Sequence, residues 1–259
     1  MAAQIRSWRF GTYIWPAVSV ISIVAVWQLL VAFGRIPPFL LPAPLNVCRK
    51  LASLLLTGDL IRETGLTLYR TSAGFALAVL VGSGLGLAMG TSRLFARTFD
   101  PIISILFPTP KISFLPIFIL WFGTFDLSKV LIAAFICVFP VISACHDAIK
   151  GLDPRLSWVG RNLGMSTTTV FRKIVFPATI PSLINGAEVS LPFAFISIVT
   201  AEMMAGGGGI GARMMLAGRF ADSTAVFAWL ATLAVVGALL TSLAKVIRRR
   251  LLQWHTEVG

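Results

Sequence analysis

Apolar residues in this chain fall into long runs separated by short polar breaks marked by proline and glycine. A run of about 20 apolar residues suffices to cross a hydrocarbon core of about 30 Å as a helix. Six such runs are read, at about 13–33, 66–90, 102–122, 128–145, 183–204 and 224–247. Residues 34–64 are mixed. Pro37, Pro38, Pro42 and Pro44 break any helix there, and Leu45 to Leu56 predicts a short helix along the membrane surface. The second run carries Gly74, Ala78, Gly82, Gly86 and Gly90, a small residue at every fourth position. Such a stripe lets another helix approach closely, which drives packing in lipid. The third run is interrupted by Pro108, Pro110 and Pro116 and holds Lys111. The fifth contains Pro192 and two acids, Glu188 and Glu202, and leads into Gly206-Gly207-Gly208-Gly209-Ile210-Gly211, read as a flexible loop.

One long polar stretch, Gly151 to Pro181, separates the fourth and fifth runs. It carries Arg155, Arg161, Arg172 and Lys173 against the single acid Asp153. Leu156–Leu163 and Thr168–Val175 predict two short amphipathic helices around a Gly164-Met165-Ser166 turn, with Ser166 as N-cap of the second. Two readings of this hairpin stand: a docking surface, or a solvated connecting loop.

Composition sharpens the class. Only 12% of the 259 residues are charged and the mean hydropathy is +0.88, where a soluble domain carries about 25% charged residues. The expectation is an all-α polytopic membrane protein with one domain, 1–259, and about six transmembrane helices. The net charge of +12 is then a topology signal and not a nucleic-acid footprint. With both termini cytoplasmic, 13 of the 22 basic residues lie inside, 8 outside, and Lys111 within a span. That bias predicts an N-in, C-in orientation, with the basic residues of 49–70 running against it. The basic start followed by the 13–33 run is read as a retained span, because the run exceeds a signal core and no A-x-A-like site follows. Cys137 and Cys145 stand eight apart on one helix and cannot pair.

No catalytic pattern is present: no Gly-x-Ser-x-Gly, no His-Glu-x-x-His, no clustered metal ligands and no Walker loop. His146 and His255 are expected to face solvent. The charges inside the membrane are the candidates for function, since a lone charge near the centre of a span costs about 2.5–3.5 kcal/mol. Glu188 and Lys111 are expected at roughly 9 Å and 14 Å depth by helical rise. Either they pair with each other, or each snorkels or lines a wet cavity alone.

The polar stretch resembles the "EAA" loop of ABC importer permeases: Glu-Ala-Ala, three residues, Gly, nine residues, Ile, one residue, Leu-Pro. Gly164 fits the glycine, Ile174 falls ten positions later, and Phe176-Pro177 stands in the Leu-Pro place. Trp158-Val159-Gly160 occupies the Glu-Ala-Ala place, a departure that removes the family's glutamate. Pro108 to Pro116, continuing to Leu120-Trp121-Phe122-Gly123, is similar to the Pro-rich, "LWFG"-ending span of the nitrate/sulfonate/taurine subgroup. Leu40 to Val47, and Ala201-Glu202 with Gly209-Ile210-Gly211, resemble further runs of that subgroup.

The resemblance implies an importer-type permease fold with a cytoplasmic coupling helix in the loop 146–181. It implies that Trp158, Val159, Gly160, Arg161, Gly164, Ile174 and Pro177 form the ATPase-coupling element. Pro108, Pro110, Lys111, Pro116, Glu188, Pro192 and Glu202 are the pathway or gate candidates, with Glu202 either bracing the outer gate or lying as a plain interfacial carboxylate. The implied assembly has two permease copies, two ABC ATPase subunits carrying ATP and Mg, and an external solute-binding protein, in the lipid of a bacterial inner membrane. No cofactor is expected in this chain. The implied cargo is a small anion such as a sulfonate, taurine or nitrate. The alternative is a partner-independent secondary transporter or channel, which needs several intramembrane acids or polar ligands where only Glu188 and Lys111 qualify.

Overall fold

The computed structural model describes Trp15, Val18, Ser19, and residues 21–34 and 36–253. The described residues form helices joined by short turns. They group into two compact units, one of residues up to Ile61 together with Arg213–Thr232, the other of Arg62–Ala212 together with the residues from Leu233 onward.

In the first unit, α1 is the short apolar helix Ile21–Ala32. The remainder of the predicted 13–33 span falls largely outside the described residues. Trp27 of α1 donates its indole N–H to the Pro42 carbonyl at 3.0 Å and packs on Phe227. α2, Pro44–Leu56, forms where a short helix was predicted over Leu45–Leu56, opened by a proline whose fixed φ suits a first turn. Lys50 on α2 pairs with Asp222 at 3.3 Å, which neutralises one of the basic residues that ran against the charge bias.

Among the described residues, four helices are long and apolar enough to cross a membrane: α3 (Asp59–Thr91), α6 (Asp126–Lys150), the continuous helix Thr167–Ala205, and α11 (Ser223–Leu251). A fifth candidate is the pair α4 (Arg93–Leu106) and 111–122, bent by 95°. This is the broken span expected from its prolines. The break falls at 107–110, where Pro108 and Pro110 stop the helix, after which a 3₁₀ turn (Lys111–Phe114) leads into α5 (Leu115–Phe122). Pro116 makes no break, because it occupies the first turn of α5, where no backbone donor is needed.

In the second unit α6 is the central element. Ile132, Ala133, Cys137, Val141 and Cys145 are fully buried along it. The glycine stripe of α3 lies against this helix. A Cβ at Gly74 would meet Ala133, one at Gly82 Val141, one at Gly86 Cys145 and one at Gly90 Ile149, all at 3.0 Å or less. Opposite, Gly186 approaches Ala144 from the long helix that follows. Small residues thus bring three apolar helices within backbone reach where lipid supplies no hydrophobic drive.

The predicted polar loop 146–181 is shorter than expected. α6 continues to Lys150, and helix resumes at Thr167 and runs to Ala205 through Pro177, Pro181 and Pro192. The reason is local. After α8 (Thr167–Val170), residues Phe171–Val175 form a wider π-turn, in which the Phe176 N–H reaches the Phe171 carbonyl. That turn ends immediately before Pro177, which has no N–H to give. α9 (Phe176–Ala205) then proceeds without a stop.

Candidate functional site

Three groups of predicted functional residues occupy three separate settings. The first is the hairpin between α6 and α9. Asp153 caps α7 (Pro154–Asn162), accepting the Arg155 backbone N–H at 2.9 Å, with Pro154 as the first helical residue. α7 ends in a Schellman motif. The Met165 N–H reaches the Gly160 carbonyl at 3.1 Å, the Gly164 N–H reaches the Arg161 carbonyl at 2.9 Å, and Gly164 sits at φ +76°. The glycine of the predicted motif is therefore the left-handed residue that stops α7. Ser166 caps α8 as expected, accepting the Thr169 N–H at 3.2 Å. Gly160 and Ile174, fourteen positions apart, meet across the hairpin: a Cβ on Gly160 would stand 2.9 Å from the Ile174 Cδ1. Trp158, Val159 and Arg161 are exposed, while Pro177 lies in the first turn of α9.

The second setting is the broken span. Lys111 donates to the Phe107 carbonyl at 2.7 Å, and its ammonium lies over the rings of Phe139 (4.7 Å) and Phe107 (5.4 Å). Of the two readings of these charges, the Lys111–Glu188 pair is not the one formed. Glu188 instead pairs with Arg248 of α11 at 3.3 Å, beside an apolar cavity of about 230 Å³. A cation from the last turn of α11 reaches Glu188, a contact that the run of Arg248-Arg249-Arg250 did not specify by spacing. Pro192 lines a second apolar cavity, of about 310 Å³, between α9 and α11.

The third setting is a buried ionic cluster where α9 ends, and most of its members escaped sequence reasoning. Arg70 is 1% exposed and uses all five of its N–H donors. Nε and Nη2 give to Asp126 at 2.9 and 2.6 Å, Nη1 to Glu202 at 2.7 Å, and Nη2 and Nη1 to the carbonyls of Gly207 and Gly208 at 2.8 Å. Glu202 is fully buried and also accepts from the Thr67 hydroxyl and the Gly211 N–H. Glu63 accepts the Gly209 N–H at 2.6 Å, and Thr67 the Ile210 N–H at 2.9 Å. Lys129, also fully buried, donates to the Thr124 carbonyl at 3.0 Å.

Glu202 is thus no water-facing interfacial carboxylate. It accepts the Gly211 N–H in the first turn of α10 (Ile210–Arg219), a site that favours negative charge. The glycine segment is not a flexible loop but a stretch of four positive-φ glycines held on both its N–H and C=O sides. The four buried charges, Glu63, Arg70, Lys129 and Glu202, sum to zero, which makes their burial tolerable, and the more exposed Asp126 and Arg62 flank them. One signal could have found Arg70: it stands four residues before Gly74, on the same stripe that turns to α6.

His146 is likewise not solvent-facing. It is 5% exposed, with Nδ1 3.6 Å from Asp100 of α4. His255 lies outside the described residues. Among the described residues no group of three or more metal-ligating side chains is assembled.

Residues 74–253 match the family of binding-protein-dependent transport system inner membrane components. The chain belongs to this family. It is a permease subunit of an ABC importer, an inner-membrane component and not an enzyme. It is 33% identical over 250 residues to the putative aliphatic sulfonates transport permease protein SsuC of Bacillus subtilis, covering 96% of this chain and 89% of that one. It is 29% identical to the taurine transport system permease protein TauC of Escherichia coli, over 91% and 88% of the two chains. It is 30% identical to the riboflavin transport system permease protein RibX of Chloroflexus aurantiacus, over 94% and 92%. An inward-facing MetNI methionine ABC transporter shares the permease fold with a TM-score of 0.66 at 18% identity, over 75% of this chain and 97% of that one.

Proposed function

We propose that this permease, as one domain spanning the whole chain, conducts a small organic or inorganic anion, of the sulfonate, taurine or nitrate class. The observation that carries the reading is the hairpin α7–α8. It is a doubly capped, cationic unit inserted between two spans, with the Gly164 and Ile174 of the coupling motif meeting its structural requirements. In this reading the hairpin is cytoplasmic, both termini lie on that side, and the hairpin receives an ABC ATPase that holds the ATP and Mg. Two permease copies and two ATPases enclose the pathway, and a solute-binding protein delivers cargo from outside. ATP-driven closure of the ATPases moves the hairpins, and the spans rock around a central cavity.

The substrate class rests on the names of the sulfonate and taurine relatives and on Lys111. That residue places a cation at the break of a bent span with no carboxylate partner among the described residues. Irregular backbone at membrane depth is tolerated where it lines protein or a watery path. Pro108 and Pro110 create that irregularity, Pro192 and the Glu188–Arg248 pair shape the neighbouring α9–α11 seam, and Glu202 fixes the far end of α9 as a brace of the gate. A riboflavin-class cargo is the second reading, favoured by the riboflavin permease at 30% identity.

Affinity purification of the tagged chain in mild detergent tests the assembly. An ATPase subunit is expected to accompany it, and in liposomes its ATP hydrolysis should rise with binding protein loaded with taurine or an alkanesulfonate, not with riboflavin. A chain that purifies alone and moves solute without ATP would establish the partner-independent carrier instead.

A further inference from the structure

The hairpin has a defined outward face, and its chemistry differs from the acidic motif it replaces. Gly160 seats α7 on the rest of the hairpin: a Cβ there would meet Ile174 at 2.9 Å and Val170 at 3.1 Å. At 100° per residue, Trp158 projects about 160° away from Gly160. Arg155, Trp158, Val159 and Asn162 share that outward side at i, i+3, i+4 and i+7. This is the anchor spacing of a helix laid into a groove.

Trp158 is 64% exposed and Val159 57%. Lipid does not explain this exposure, because α7 is only nine residues long and carries Arg155, Arg161 and Asn162 beside the two apolar anchors. Around the patch, Arg155, Arg161, Arg172 and Lys173 are all exposed and none has an ion-pair partner among the described residues. The only acid of the hairpin, Asp153, is occupied by the Arg155 backbone N–H.

We propose that α7 docks by burying Trp158 and Val159 in an apolar slot of the ATPase subunit, a slot rimmed by carboxylates that face Arg155 and Arg161. The proposal rests on the coupling reading above and adds the face, the anchor and the chemistry of the partner. Docking is carried by an aromatic anchor where the motif's usual glutamate would offer a charge. Buried tryptophans flanked by arginine are the residue types that most often dominate such interfaces. The cations at the rim steer the encounter and fix register more than they add affinity.

The test titrates the co-purifying ATPase, stripped and re-added, onto the full chain in lipid nanodiscs. Trp158→Ala should weaken the Kd about 30-fold, as loss of a central anchor does, while Trp158→Phe keeps most of the affinity. Trp158→Glu should weaken it as well. Arg155→Glu should weaken binding about ten-fold at low salt, with the difference shrinking as salt screens it. Thermal unfolding of the permease should not change in Trp158→Ala, since the side chain packs outward.

A Kd for Trp158→Ala within about three-fold of the parent overturns the anchor, on the same scale of interface effects. Tighter binding by Trp158→Glu or Arg155→Glu overturns the acidic rim. An unchanged Kd, together with a share of the brominated-lipid quenching that is lost in Trp158→Phe while that of the other six tryptophans remains, assigns the face to the bilayer surface. Absence of any ATPase from the purified chain overturns the coupling reading itself, an outcome distinct from an ATPase that binds without regard to Trp158.

Discussion

Arg70 Nη1 and Glu202 Oε1 stand 2.7 Å apart with both side chains closed to solvent. The pair joins α3 to the end of α9, and the remaining donors of Arg70 hold Asp126 on α6 and two glycine carbonyls. Three helices and one loop therefore depend on a single guanidinium. Its planar fork suits this role, whereas a lysine has three donors and no fixed geometry.

Removing one member of this pair should be costly. Arg70→Met leaves Glu202 charged, buried and short of its strongest partner, and breaking a buried pair in this way costs about 3–5 kcal/mol. The double variant Arg70→Met/Glu202→Met removes the orphaned charge and should recover part of that loss. Denaturant or thermal unfolding in mixed micelles measures both. A single variant as stable as the parent would show that water enters the cluster and solvates Glu202.

The glycine segment should respond position by position. Gly206 and Gly209 both hold positive φ, at +68° and +97°, and Gly206 with ψ −147° lies in a region almost confined to glycine, so alanine at either carries a backbone cost of about 1–3 kcal/mol. A Cβ on Gly206 meets nothing, whereas one on Gly209 collides with the Glu202 carboxylate. Gly209→Ala should thus lower the unfolding midpoint well below that of Gly206→Ala. Equal midpoints would mean that backbone strain alone governs the segment.

Four of the six predicted spans, the bent third run and the capped hairpin were readable from the chain because each announces itself locally, while the 13–33 run lies largely outside the described residues. Apolar runs report membrane crossing by length, Gly164 reports a helix stop, and Ser166 reports a start. The bend at Pro108 and Pro110 was equally local. Pro177 misled because a π-turn immediately upstream accommodates its missing donor, and that turn has no simple sequence mark, while Pro181 sits inside α9 without ending it. The ionic cluster was unreadable for another reason. Glu63, Arg70, Asp126 and Glu202 come from three distant segments, and only the fold determines which charges meet. The same holds for Glu188, which takes Arg248, sixty positions away, in place of Lys111.

The small-residue stripe of α3 makes a contrast within two positions. A Cβ on Gly86 would stand 2.7 Å from both the Cys145 Cβ and the Ile142 carbonyl, while Gly84 faces open space. Gly86→Leu should force α3 away from α6 and give a poorly folded or aggregated permease. Gly84→Leu should fold, since it adds apolar surface on a side already free of protein contact. Size-exclusion profiles in detergent separate the two. A monodisperse Gly86→Leu protein would show that the α3–α6 seam can widen without loss of fold.

Lys111 and the Glu188–Arg248 pair separate transport from stability. The Lys111 ammonium has three donors, and one is spent on the Phe107 carbonyl. Its ring contacts with Phe107 and Phe139 hold the charge in place without cancelling it. Lys111→Gln should therefore leave assembly and unfolding nearly unchanged while anion uptake into proteoliposomes falls about ten-fold, a coupling of roughly 1.4 kcal/mol. Glu188 and Arg248 are 20% and 31% exposed, so their pair contributes about 1 kcal/mol or less. Glu188→Gln should cost little in stability or uptake, and the exchange Glu188→Arg/Arg248→Glu should behave like the parent. Uptake unaffected by Lys111→Gln but lost in Glu188→Gln would move the pathway from the broken span to the α9–α11 seam.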